Sequence, residues 1–190
     1  QMDVLLLCCA MKTMISWHSE KVATTSRERC GGQGYLSVNR FGEAIGGAHA
    51  GMTAEGDNCV LMQKVAKELL SRANKKELVR KAILSKAPSM ARRLVGGSAF
   101  VDFEDANALL KLFTLREERL LVQLAMKMQA GKKAGRSLFE TWMLRESDLV
   151  QGLARAYGER VVVEQFIARI ESAATDLQPV LKKLLTLYAM

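Results

Sequence analysis

A chain of 190 residues, 49% hydrophobic and 25% charged, can bury a core as one domain or two small ones, and it does not have the composition of a disordered tail. The net charge of +8 would suit a nucleic-acid binder if it ran along the whole chain, but residues 60–95 alone hold ten basic and two acidic residues, and the stretches on either side are nearly balanced. No aromatic side chain lies among those charges to stack on bases, which argues against nucleic acid and leaves a solvated helix face, or else a surface for an acidic ligand, partner or membrane.

The chain opens at Gln1 in an apolar run over residues 4–9 with no basic stretch before it, which reads as an entry in mid-helix and not as a signal peptide. Lys12 ends that run far short of the ~20 apolar residues that cross a bilayer, so no transmembrane segment is expected. Leu6, Cys9, Ala10, Thr13, Met14 and Trp17 follow three-four spacing and predict a helix over residues 3–29. It should stop at Cys30-Gly31-Gly32, where glycine can adopt the left-handed conformation that closes a helix. Residues 32–56 hold seven of the fourteen glycines. We read residues 33–54 as a functional loop with one short helical turn over 40–45.

Asp57 and Asn58 are good N-cap types, and Leu61, Met62, Val65, Ala66, Leu69 and Leu70 mark one face of a helix reaching about residue 73. After the basic stretch, Gly96-Gly97-Ser98 marks a boundary between a first domain, residues 1–95, and a second, residues 96–190. The second is predicted to contain helices over 104–130, 138–157, 159–175 and 177–190. Val161, Val162 and Val163 could begin a strand, but Phe166, Ile167 and Ile170 continue their apolar side at helical spacing. Only Pro88 and Pro179 interrupt a chain rich in helix formers, so the fold class is all-α. Cys8, Cys9, Cys30 and Cys59 have neither CxxC spacing nor a histidine at ligand distance; they predict small buried or half-buried thiols, with no metal site and no disulfide framework. The final residues, Tyr188-Ala189-Met190, stop inside an apolar pattern, so this end too reads as cut short.

The segment CGGQGYLSVNRFGEAIGGAHAGMTAEGDNCVLMQKVAKELL, residues 30–70, resembles the acyl-CoA oxidase family, in which a CGGxGY motif precedes T-x-EGDN and a helix like VLxQVAK. The match is firm over about forty residues and looser in the flanking helices. The resemblance implies a helical bundle of the acyl-CoA oxidase/dehydrogenase C-terminal type followed by a second helical domain. It also implies that Glu55 is the catalytic base, removing the α-proton of a fatty acyl-CoA thioester while a hydride leaves the β-carbon for N5 of FAD. An α-proton beside a thioester is only weakly acidic, so this chemistry needs a nearby carboxylate and donors for the carbonyl oxygen as it gains charge. By the same resemblance Gly31 and Gly32 would let the backbone approach the FAD of a neighbouring subunit in a homodimer. Gly56, Asp57 and Asn58 would contact cofactor at a helix start, although Asp57 and Asn58 read equally well as plain N-caps. EGDN looks like the oxidase branch, with oxygen reoxidising the flavin, hydrogen peroxide released and a peroxisomal setting for fatty-acid β-oxidation.

Ala54 stands where an aromatic residue often precedes the glutamate, a departure that bears on pocket shape and chain-length preference. The family's amino-terminal helical domain and central β-domain are absent from these 190 residues, so the chain alone is expected to be inactive. His18 and His49 read as structural or surface residues and Arg40 as a surface residue. Two rival readings stand beside the oxidase. One is an acyl-CoA dehydrogenase passing electrons to a protein acceptor; the other is a non-catalytic helical interaction or dimerisation module.

Overall fold

The computed structural model describes residues 2–74 and 103–190. They fall into two compact units, Gln1–Glu68 and Leu69–Met190. The described residues form helices and turns with no strand among them, and none of these helices is long and apolar enough to cross a membrane. The boundary expected near Gly96 and the core of the basic segment lie outside the described residues.

The first unit is built on α1 (Met2–Arg29), whose buried stripe of Leu6, Cys9, Ala10 and Thr13 follows the predicted spacing, with Met14 and Trp17 partly buried beside it. The helix stops as its sequence predicts. Cys30 N–H donates to Ser26 O at 3.1 Å, and Gly31 takes φ +57°. Two 3₁₀ turns follow, Gly31–Tyr35, which folds back along α1, and Ser37–Asn39, which packs on the first. Gly34 passes so close that a Cβ there would sit 2.1 Å from the carbonyl oxygen of Arg27. This position must be glycine for want of space.

The segment 41–53, expected as loop with one helical turn, is instead a thirteen-residue helix, α2 (Phe41–Thr53), packed along α1. Each interior glycine costs a helix roughly 1 kcal/mol relative to alanine, and that cost motivated the loop reading. Tertiary contact overrides it here: Phe41, Ile45, Ala48 and Met52, at i, i+4, i+7 and i+11, are the half-buried face. A turn through Ala54 to Asp57 leads into α3 (Asn58–Arg72), which buries Met62, Val65 and Ala66.

In the second unit α4 (Ala106–Lys133) begins at Asp105, whose carboxylate accepts from Asn107 N–H at 2.8 Å. It ends in a Schellman turn: Arg136 N–H donates to Gly131 O, Gly135 N–H to Lys132 O, and Gly135 takes φ +73°. A π-helical stretch, Glu140–Arg145, packs Thr141 against Gly131, where a Cβ would lie 2.4 Å from the Thr141 hydroxyl. A single helix follows, α5 (Ser147–Ser172), in place of the two expected with a break after Tyr157. Gly158 is buried inside it, so a residue that suggests a break in the sequence serves packing. Helix α6 (Gln178–Ala189) carries Pro179 in its first turn, where the missing N–H costs nothing.

Helices α4, α5 and α6 pack on one another around Leu109, Val163, Ile170 and Leu185. Burying each of these side chains contributes about 1.5–3 kcal/mol. At the edge of this core, Arg116 pairs with Glu159 and Arg160 with Glu117, tying α4 to α5. Burial works against the Arg160 charge, but its hydrogen bond to Glu117 and the fields of Glu117 and Glu164 outweigh that and hold its pKa above the ordinary arginine value. The thiols depart from expectation. Cys9 is buried, whereas Cys8, Cys30 and Cys59 are exposed.

Candidate functional site

Between α1 and α2 runs an open groove of about 460 Å³, lined by Ile15, Gly47, Ala48, Gly51 and Ala54, with Glu55 at its margin beside Lys12 and Ser16. Gly47 and Gly51 sit four residues apart on one face of α2, so no side chain from either position fills the space. The groove is thus mostly apolar and carries one carboxylate.

Glu55 stands in a backbone conformation that glutamate seldom adopts, with φ +60°, and Gly56 follows at φ +106°. The two consecutive positive-φ residues turn the chain sharply from α2 into α3. A Cβ on Gly56 would come within 3.2 Å of Leu61 Cδ2, a second reason for glycine there. Glu55 is exposed, and among the described residues no hydrogen bond or ion pair engages its carboxylate.

The next two residues have other duties. The Asp57 carboxylate accepts from Cys59 N–H at 2.9 Å and Val60 N–H at 3.2 Å, which makes it the N-cap of α3. Asn58 is 2% exposed, and its amide is hydrogen-bonded to α1. Its Nδ2 donates to Ser16 Oγ at 2.9 Å and reaches Thr13 O at 3.5 Å, while its Oδ1 accepts from Lys12 Nζ at 2.8 Å. Lys12 Nζ also donates to Gly56 O at 2.7 Å and Met52 O at 3.3 Å. Sequence reasoning passed over Lys12 except as an interruption of an apolar run. The signal available was its pairing with Ser16: two polar residues four apart, flanking a buried stripe.

Gly31 and Gly32 are exposed, and a Cβ at either would meet nothing within 4 Å. They offer bare backbone to an incoming group. The structure does not bring them to Glu55: they follow Arg29, the last residue of α1, which is seventeen residues beyond Lys12 and about 25 Å farther along the axis at 1.5 Å per residue. One ring system cannot touch both places. The open backbone at the one and the uncluttered groove at the other fit separate parts of a flavin's surroundings, without enclosing a flavin.

Elsewhere in this unit, His18 is exposed, His49 Nε2 lies 3.9 Å from Glu20, and Arg40 pairs with Glu43 at 2.7 Å on the surface.

Two family models match the chain: "Acyl-CoA oxidase, C-alpha1 domain" over residues 1–70 and "Acyl-CoA oxidase" over residues 105–190. Among curated proteins it is 30% identical over 202 residues to acyl-coenzyme A oxidase 2, peroxisomal, of Arabidopsis thaliana, covering 99% of this chain and 28% of the relative. It is 28% identical over 199 residues to peroxisomal acyl-coenzyme A oxidase 3 of Homo sapiens, again covering 99% of this chain and 28% of the relative. The solved structure of acyl-CoA oxidase-2 of Caenorhabditis elegans, bound with FAD, ascaroside-CoA and ATP, shares the fold with a TM-score of 0.78 at 22% identity, over 98% of this chain and 28% of that one. Acyl-CoA oxidase-1 of the same organism, complexed with FAD and ATP, gives 0.77 at 21% identity, over 98% and 29%. The chain therefore spans little more than a quarter of the length of the relatives it matches.

Proposed function

The chain belongs to the acyl-CoA oxidase family, and from that premise we propose that it is the carboxyl-terminal helical part of a FAD-dependent enzyme that oxidises fatty acyl-CoA to trans-2-enoyl-CoA, with dioxygen as acceptor and hydrogen peroxide as product. The observation that carries this reading is the placement of Glu55: an exposed carboxylate without an ion-pair partner among the described residues, at the margin of an apolar groove, on a turn whose backbone is held in an uncommon conformation. Uncommon backbone geometry maintained by its surroundings is a property of working sites.

In this proposal Glu55 accepts the α-proton of the thioester, and the groove between α1 and α2 receives the substrate beside it. FAD, when bound, supplies the hydride acceptor for the β-carbon and the route for electrons to oxygen. Gly31 and Gly32 present backbone to a flavin, and their distance from Glu55 along α1 supports a homodimer in which they serve the neighbouring subunit's cofactor. Gly56 and the N-terminus of α3 face the cofactor through backbone, with Asp57 capping the helix and Asn58 bracing it. The segments that complete the flavin and acyl pockets belong to the part of the enzyme outside this chain, so the chain alone is inactive. The peroxisomal setting follows the names of the curated relatives.

The deciding experiment is Glu55→Gln in the full-length enzyme. Loss of the base should lower turnover by about 10²–10⁴-fold or more with FAD content unchanged. Normal turnover would remove Glu55 from the chemistry and favour a helical interaction module. Peroxide formed in step with oxygen consumed distinguishes the oxidase from a dehydrogenase, whose reduced flavin would be insensitive to oxygen.

A further inference from the structure

We propose that Lys12 is a positioning residue for the reaction, clamping the turn that presents Glu55 to the groove; the proposal rests on Glu55 being the base. An ammonium has three protons to donate, and the three acceptors of Lys12 Nζ bracket Glu55 on both sides: Met52 O at 3.3 Å before it, Gly56 O at 2.7 Å and Asn58 Oδ1 at 2.8 Å after it. None of the three is a carboxylate. The charge is therefore directed at carbonyl dipoles of one turn, where charge-assisted bonds are shorter and stronger than neutral ones.

The turn needs such a restraint. Glu55 at φ +60° and Gly56 at φ +106° are consecutive positive-φ residues, and glutamate has a ready alternative in the right-handed region. If the turn relaxed, the carboxylate would swing relative to α1. The anchor for the clamp is itself fixed: Asn58 is 2% exposed and also bonded to Ser16 Oγ at 2.9 Å, so Lys12 and Ser16, one turn apart on α1, hold the start of α3 from two points. Lys12 further lies along the same groove as Glu55, so the group that sets the turn adjoins the space where substrate would sit.

A base moved by ~1 Å can lose on the order of 10² in rate while binding is little changed. The test uses the full-length flavoenzyme, with anaerobic flavin reduction by a saturated acyl-CoA followed by stopped flow. Lys12→Met should slow reduction by about 10²-fold, enlarge the isotope effect with α-deuterated substrate, and leave FAD content and acyl-CoA affinity within a few-fold of wild type. Lys12→Arg, which retains charge and donors, should recover much of the rate. Wild-type reduction in Lys12→Met overturns the proposal, as does a slower rate with an unchanged isotope effect. Should Lys12→Met lose its flavin, Lys12→Gln carries the same measurements. Flavin loss in both, unrescued in Lys12→Arg, assigns Lys12 to folding alone and also overturns it. Glu55→Gln run in parallel separates the two readings: an active Glu55→Gln enzyme defeats the assignment of the base, whereas an inactive Glu55→Gln beside a fully active Lys12→Met defeats only the clamp.

Discussion

At the scale of single residues, the site is governed by where the backbone leaves the right-handed region and by what holds it there. A left-handed conformation costs a non-glycine residue about 1–2 kcal/mol, and at Glu55 three bonds from one ammonium oppose that cost. The same scale shows that glycines in one motif serve different ends. Gly31 supplies a left-handed stop, Gly32 leaves open backbone, and Gly34 allows close approach to Arg27. Gly34→Ala would force a methyl against a backbone carbonyl that cannot rotate aside, so we expect a loss of about 3 kcal/mol, the upper end for overpacking, read as a lowered denaturant midpoint. The sequence made Glu55 and the glycine pair visible because they sit in an ordered motif. It made Lys12 visible only faintly, through its spacing from Ser16, because the partners of the lysine lie forty and more positions away.

Among the elements, α1, α3 and α4 were legible because their apolar positions recur at helical spacing and their ends carry glycine or N-cap residues. The reading of α2 failed through the weight given to four glycines over Phe41, Ile45, Ala48 and Met52, whose periodicity was present all along. The join expected between the helices over 138–157 and 159–175 does not exist, since Gly158 is buried inside one continuous helix. Helix α6 gives a prediction of its own. Burial raises the Tyr188 pKa above the ordinary phenol value, Glu159 adds to the rise, and Arg155 and Arg116 oppose it. A raised phenol pKa means the folded state favours the protonated form. That stability is fully present below the unfolded value near 10 and is lost as pH rises through the folded value. Tyr188→Phe should therefore flatten the fall of thermal stability above pH 10 relative to wild type, in matched melting curves across that range.

At the scale of the whole molecule, the chain spans 28% of each of its first curated relatives. Its groove is open and its glycine pair is exposed, and in the proposed enzyme other segments or a second subunit complete them. We expect the 190-residue chain, given FAD, oxygen and a fatty acyl-CoA, to release no peroxide, and the full-length protein to release about one peroxide per acyl-CoA oxidised. A peroxidase-coupled assay on both reads the difference. All-α architecture and family were open to sequence reasoning, the first from composition and the second from two motifs in order. Which backbone surfaces stay bare was not, because exposure depends on contacts that no motif encodes.

Helix α1 runs 28 residues, about 42 Å, with Lys12 and Ser16 near its middle and the Gly31 stop just beyond one end. A stiff rod of that length acts as a lever. Pivoting it by about five degrees around its midpoint would carry the glycine tip roughly 2 Å but Lys12 only about 0.5 Å. The turn that carries Glu55 is thus tied to α1 near its balance point, so in the proposed enzyme a disturbance at the glycine tip should reach the carboxylate strongly attenuated.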